Sequence, residues 1–218
     1  MNIGGMIQTW IDVLTHPGEE IFETEGAKDQ AKLSTAVIWI IISTVIVALL
    51  GFLRRQLVFG GTDFGALLEQ ANLPPEATEQ LSAMFESGLL SGLANGAGLA
   101  SVVITPIVFL IFVGIYHLIA RVLGGQGEYG KYAFLIASFQ APIAVLVSVL
   151  SFVPWIGSCF GAFISIYGLV LAFFATKVNY QFSAGKAFAV LVIPIVIGMV
   201  LVGCGFFATI GALIASSS

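Results

Sequence analysis

An all-α fold is predicted: a polytopic membrane protein built as a bundle of five transmembrane helices, with short amphipathic helices outside the bilayer. Three observations lead there. Of 218 residues, 58% are hydrophobic and only 9% charged, where soluble domains carry about a quarter charged residues. The charges are gathered into short segments, and the stretches between them hold no Asp, Glu, Lys or Arg. Each stretch is long enough to supply the roughly 20 helical residues that cross a bilayer core.

The first span covers about residues 33–53, between Lys32 and Arg54. The second, about 97–120, ends before Arg121. The uncharged run from Tyr132 to Thr176 holds two more, about 133–153 and 156–176. They divide near Phe152-Val153-Pro154-Trp155-Ile156-Gly157, because Pro breaks a helix, Gly permits reversal and Trp favours the membrane boundary. The fifth span, about 187–214, follows Lys186. Residues 33–218 thus form one membrane domain with an acidic outer loop at 54–96, preceded by an N-terminal amphipathic segment at 1–32. No room is left for an appended soluble enzyme, the net charge of −4 says little in a chain of this class, and no nucleic-acid partner is expected.

Met1 to Leu14 lacks the basic leader, apolar core and small-residue cleavage site of a signal peptide, so the first span is expected to act as an uncleaved anchor. Basic residues are retained on the cytoplasmic side. With the N-terminus inside, Lys28, Lys32, Arg121, Lys131, Lys177 and Lys186 lie in the cytoplasm and Arg54 and Arg55 outside. A cell-membrane protein with a cytoplasmic N-terminus and an outer C-terminus is expected.

Ile3, Met6, Ile7, Trp10, Ile11 and Leu14 recur at helical spacing, and His16-Pro17-Gly18 ends that helix. Its apolar stripe suits either packing on the spans or lying in the membrane interface with Trp10 as anchor. In the outer loop, Leu73-Pro74-Pro75-Glu76 followed by Leu81, Met84, Phe85 and Leu89 predicts two short amphipathic helices. Its Asp and Glu residues suit an acidic cap that attracts cations over the outer mouth; a solvated face is the simpler reading, since no calcium-loop spacing is present.

Chemistry inside a membrane normally needs ionisable groups, and His117 is the one found within a span. Arg121 follows one turn later on the same face. The pair suits an anionic headgroup or a carboxylate; a boundary His beside a snorkelling Arg is the simpler reading. No HExxH, GxSxG or intramembrane carboxylate pair is present, so no catalytic residue, metal or cofactor is expected. Gly124-Gly125-Gln126-Gly127-Glu128-Tyr129-Gly130 lacks the Gly-Lys-Ser/Thr ending of a phosphate loop and reads as a flexible cytoplasmic connection.

Pro106, Pro142 and Pro194 interrupt three spans, and each frees a carbonyl one turn back. Ser138 and Gln140 beside Pro142 would line a transport path if these helices faced a cavity. The competing expectation is a packing role, with Gln140 hydrogen-bonded across helices. Gly157, Gly161, Ser165 and Gly168 make a small-residue stripe for close helix packing, within the bundle or between protomers. Cys159 and Cys204 fall at similar depth and allow a bridge between the last two spans, although two free thiols are the simpler expectation.

The order of these features resembles the Yip family, the Ypt/Rab-interacting membrane proteins, and in particular its short prokaryotic members. The resemblance rests on Trp10-Ile11-Asp12-Val13-Leu14-Thr15-His16-Pro17 ahead of Phe22, and on Tyr116-His117-Leu118-Ile119-Ala120-Arg121-Val122-Leu123-Gly124-Gly125-Gln126-Gly127. Ala141-Pro142, Pro154-Trp155-Ile156-Gly157, Tyr167-Gly168-Leu169-Val170-Leu171 and Ser183-Ala184-Gly185-Lys186-Ala187 continue it. It implies five spans, a cytoplasmic N-terminus and a non-enzymatic role in the lipid bilayer. Eukaryotic members bind small GTPases, but their longer cytosolic region and Asp-Leu-Tyr-Gly-Pro motif are absent here, so GTPase binding does not carry over. The expected function is that of a membrane organiser or adaptor, partnered by copies of itself or by other membrane proteins. The alternative is a small-solute or ion transporter or channel.

Overall fold

The structure, a computed structural model, describes residues 3–58 and 99–216, with the side chains of 55, 56, 58, 99, 100, 154–159, 162 and 201–216 left aside. Among the described residues there are seven helices: α1 (Ile3–Thr15), α2 (Glu19–Gly26), α3 (Leu33–Val58), α4 (Leu99–Val122), α5 (Tyr129–Leu150), α6 (Pro154–Tyr180) and α7 (Ala184–Ser216). Four contain segments long and apolar enough to cross a membrane: Leu33–Arg54, Ser101–Val122, Tyr129–Leu150 and Phe163–Tyr180. A shorter apolar segment, Ala184–Val200, lies in α7. The fold is an all-α polytopic membrane bundle. The expected outer loop beyond Val58, with its two short helices, lies outside the described residues.

The helix boundaries have local causes. α5 ends at Leu150 and α6 begins with Pro154 in its first turn, where the missing N–H costs nothing and the fixed φ suits a helix. The reversal needs only Ser151, Phe152 and Val153. α4 ends in a Schellman motif: Gly124 adopts φ +88°, its N–H donates to Arg121 O at 3.0 Å, and Gly125 N–H donates to Ala120 O at 2.9 Å. α6 ends the same way on Gln181, at φ 52°, with Phe182 N–H donating to Lys177 O at 3.0 Å. α4, α5 and α7 run on through Pro106, Pro142 and Pro194.

α5 is the central pillar, touching α1, α2, α3, α4 and α6. Every residue from Tyr132 to Phe139 is buried, as are Ala141 and Pro142. Ala133, Ala137 and Ala141, spaced four apart and fully enclosed, let neighbouring backbones approach closely, which is how membrane helices gain packing energy. Gly130 adds to this, since a Cβ there would meet the Leu33 backbone of α3 at 3.3 Å.

The N-terminal segment departs from the expected single stripe. The face of α1 turned into the protein is Met6, Thr9 and Val13, while Ile3, Ile7 and Ile11 stay 63%, 47% and 51% exposed. The rotation has a polar cause. α2, which apolar spacing alone does not predict, buries Glu25 at 1% exposure, and Thr9 Oγ1 donates to Glu25 Oε2 at 2.9 Å. A buried carboxylate needs donors, so Thr9 has to face inward. Lys28 Nζ supplies the second contact at 2.5 Å. The hairpin is then locked down by Trp10 edge-on to Trp39 of α3, Phe22 edge-on to Phe139 of α5, Tyr167 Oη donating to Leu14 O at 2.7 Å, and Lys177 paired with Glu19 at 2.5 Å. α1 therefore packs on the spans along one face and keeps an apolar edge exposed beside it.

Candidate functional site

The last turn of α4, the first turn of α5, the end of α6 and the start of α7 converge at the charged end of the bundle. His117 of α4 shares a hydrogen bond between Nδ1 and Tyr180 Oη of α6 at 2.6 Å. Its ring stands edge-on to Tyr129 of α5, with centroids 5.4 Å apart. Tyr129 Oη donates to Leu110 O of α4 at 2.9 Å. Tyr132 Oη and Thr176 Oγ1 share a buried bond at 3.0 Å between α5 and α6. Tyr180 stands edge-on to Tyr132 and stacks on Phe182, with centroids 5.1 and 5.6 Å away. Three helices are thus pinned by side-chain hydrogen bonds, each satisfying a polar group that would be costly at this depth.

The glycine run lies against this cluster and is not the flexible connection expected. Gly125 is buried, and a Cβ there would stand 2.7 Å from Phe182 Cζ and 2.8 Å from Tyr180 Cδ1. A Cβ on Gly127 would collide with both the side chain and the backbone carbonyl of Asn179. These glycines are required by close approach, not by mobility. Asn179 Nδ2 donates to Glu128 O at 3.4 Å, while its buried Oδ1 has no hydrogen-bond partner among the described residues.

The other expected site residues are dispersed. Arg121 is exposed one turn beyond His117. Ser138 is buried with Oγ donating to Leu135 O of its own helix at 2.7 Å. Gln140 is exposed and forms no hydrogen bond to the described residues, which corrects the expected interhelical bond. Phe139, Ala141 and Pro142 occupy the buried arc at that level, leaving Gln140 on the remaining edge. In the small-residue stripe, a Cβ on Gly168 would meet Ile143 Cδ1 at 3.6 Å, whereas one on Gly161 would meet nothing within 4 Å. Ser165 is exposed and donates to Gly161 O at 2.8 Å. The side chains of Cys159 and Cys204, and the surroundings of Gly157, lie outside the described residues.

Tyr132, Thr176, Asn179, Tyr180 and Phe182 belong to the cluster without having been singled out in the sequence. One signal was available: Tyr129, Tyr132 and Tyr180 each lie within three residues of Lys131 or Lys177, and tyrosine beside lysine at a span end marks the membrane boundary. Among the described residues no three His, Cys, Asp or Glu side chains form a metal-binding group.

No curated protein and no solved structure gives a significant match to the chain. The model of the Yip1 domain matches residues 11–205, a range that includes α2, all of the aromatic cluster and most of α7. With that match over most of its length, the chain belongs to the Yip1 domain family, non-enzymatic proteins that pass through the membrane several times.

Proposed function

We propose that this protein is a membrane organiser or adaptor, in a trafficking-like or membrane-homeostasis role, that works through helix packing and its cytoplasmic segments. The observation that carries this reading is the enclosure of α5, where eight consecutive residues from Tyr132 to Phe139 are all buried. Ser138 and Gln140, the polar residues best placed in sequence to line a path, diverge, one bonded into its own helix and the other exposed. Partners are expected to meet the exposed Gln126 and Glu128 of the glycine-rich connection, or the free faces of α1. Open space beside Gly161 and the exposure of Ser165 support self-association through that stripe. The charge distribution supports a cytoplasmic N-terminus in the cell membrane.

Proteoliposomes test these points together. Vesicles holding correctly folded protein stay tight to dyes and ions, and Gln140→Leu changes nothing. A flux that Gln140→Leu abolishes would overturn the adaptor reading in favour of small-solute or ion transport. In the same vesicles, crosslinking between protomers falls in Gly161→Leu; unchanged crosslinking excludes the stripe as the contact.

A further inference from the structure

We propose that the corner between the end of α4 and the start of α7 is a binding site for an anionic phospholipid. Arg121 and Lys186 hold the headgroup phosphate, and Leu118 and Val122 line an acyl chain. The inference is independent of the adaptor reading, since an organiser and a transporter could each carry such a site.

The charge distribution comes first. Among the described residues the ion pairs are Lys28–Glu25 and Lys177–Glu19, and both serve the N-terminal hairpin. Arg121 and Lys186 have no carboxylate partner there. Glu128, the acidic residue nearest in sequence to Arg121, is exposed and makes no ion pair with a described residue. Two cations at this end of α4 and α7 are therefore without an acidic partner among the described residues.

Position and donor chemistry then select the ligand. Arg121 lies in the last turn of α4, where the apolar segment Ser101–Val122 ends, and Lys186 lies where the apolar segment Ala184–Val200 begins. Both stand at a membrane boundary. Lys186 leans toward α4: its Nζ donates to Leu123 O at 3.2 Å and lies 5.6 Å from the centre of the Phe182 ring. An ammonium has three donors, so two remain. Phe182 is fixed by stacking on Tyr180, which is in turn bonded to His117. The base on which Lys186 rests is therefore rigid. The guanidinium of Arg121 presents a planar fork that matches phosphate oxygens in pairs.

The surroundings favour a lipid over free phosphate. Val122, next to Arg121, is 86% exposed, and Leu118, one turn before Val122, is 66% exposed. A cation at the end of each helix with exposed apolar residues beside Arg121 matches the two halves of a phospholipid, whereas a soluble anion would use only the charges.

The test uses the full chain, stripped of lipid in neutral detergent and titrated with phosphatidylglycerol or phosphatidylcholine under native mass spectrometry. Wild type retains one phosphatidylglycerol in preference to phosphatidylcholine. R121A/K186A loses about fivefold in that preference for each charge removed, R121K/K186R keeps most of it, and K32A/K131A, which removes two cations elsewhere, keeps all of it. Equal preference in wild type and R121A/K186A would overturn the site, as would an equal loss in K32A/K131A, which means diffuse attraction only. Competition by inorganic phosphate or glycerol phosphate at the same concentration as the lipid would overturn the lipid assignment. Wild-type protein alone provides an arm that no misfolded variant can confound: photoactivatable phosphatidylglycerol should label the end of α4 and the start of α7, and labelling confined to other helices refutes the proposal.

Discussion

Gly127 shows what single residues contribute at the charged end of the bundle. Its neighbour Asn179 lies so close that an added methyl would strike a side chain and a backbone carbonyl together, and a carbonyl within a helix cannot step aside. Gly127→Ala should therefore cost on the order of 1–3 kcal/mol, the usual penalty of overpacking. Gly124→Ala should cost roughly 1–2 kcal/mol for a different reason, the left-handed backbone at φ +88°. Gly185→Ala, with open space around the position in the first turn of α7, serves as the control: its melting temperature in detergent does not fall, since alanine is the better helix former. A Gly127→Ala melting curve that overlays the wild type would contradict the close packing described. The glycine run was plain in the sequence, but its reason was not. Glycine spacing is the same for a loose connection and a tightly wedged one, and only Tyr180, Asn179 and Phe182, more than fifty residues away, decide between them.

At the scale of elements, the α1–α2 hairpin is held by one buried polar contact and several apolar ones. Glu25 is enclosed, and Thr9 supplies the donor to one of its oxygens. Thr9→Val keeps the shape but leaves that carboxylate oxygen without its bond, a loss of about 1–3 kcal/mol. This falls on a small, locally stable unit, so the expected outcome is faster proteolytic cleavage between α1 and α3 while the spans stay intact. Gln8→Ala, which removes only an exposed bond to Asp12, should cleave at the wild-type rate. Equal cleavage of Thr9→Val and wild type would remove Glu25 as the organiser of the hairpin. α1 is legible from its apolar spacing, yet its facing is not, because a polar residue such as Thr9 does not mark a buried face in an apolar pattern. α2 was missed because Glu-Glu-Ile-Phe-Glu-Thr-Glu-Gly offers a single large aromatic anchor, Phe22, among four glutamates.

For the whole molecule, the proposed orientation can be checked by labelling. In a background without Cys159 and Cys204, cysteine placed at Gln126 should react with an impermeant maleimide only after the cells are opened. Cysteine at Val153, exposed in the turn between α5 and α6, should react in intact cells. The reverse pattern would invert the topology and move Arg121 and Lys186 to the outer face. The sequence by itself determined the membrane class and the all-α fold. Each of those depends on transfer free energy summed along about 20 neighbouring residues, which is local information. Tertiary structure alone decided that α5 stands at the centre, that Gln140 faces outward, that Thr9 faces inward and that His117 meets Tyr180. The spans are apolar around most of their circumference, so hydrophobic periodicity does not distinguish the face toward lipid from the face toward a neighbouring helix. That choice is made by close packing of small residues and by satisfying a few buried polar groups, and both depend on partners far away in the chain.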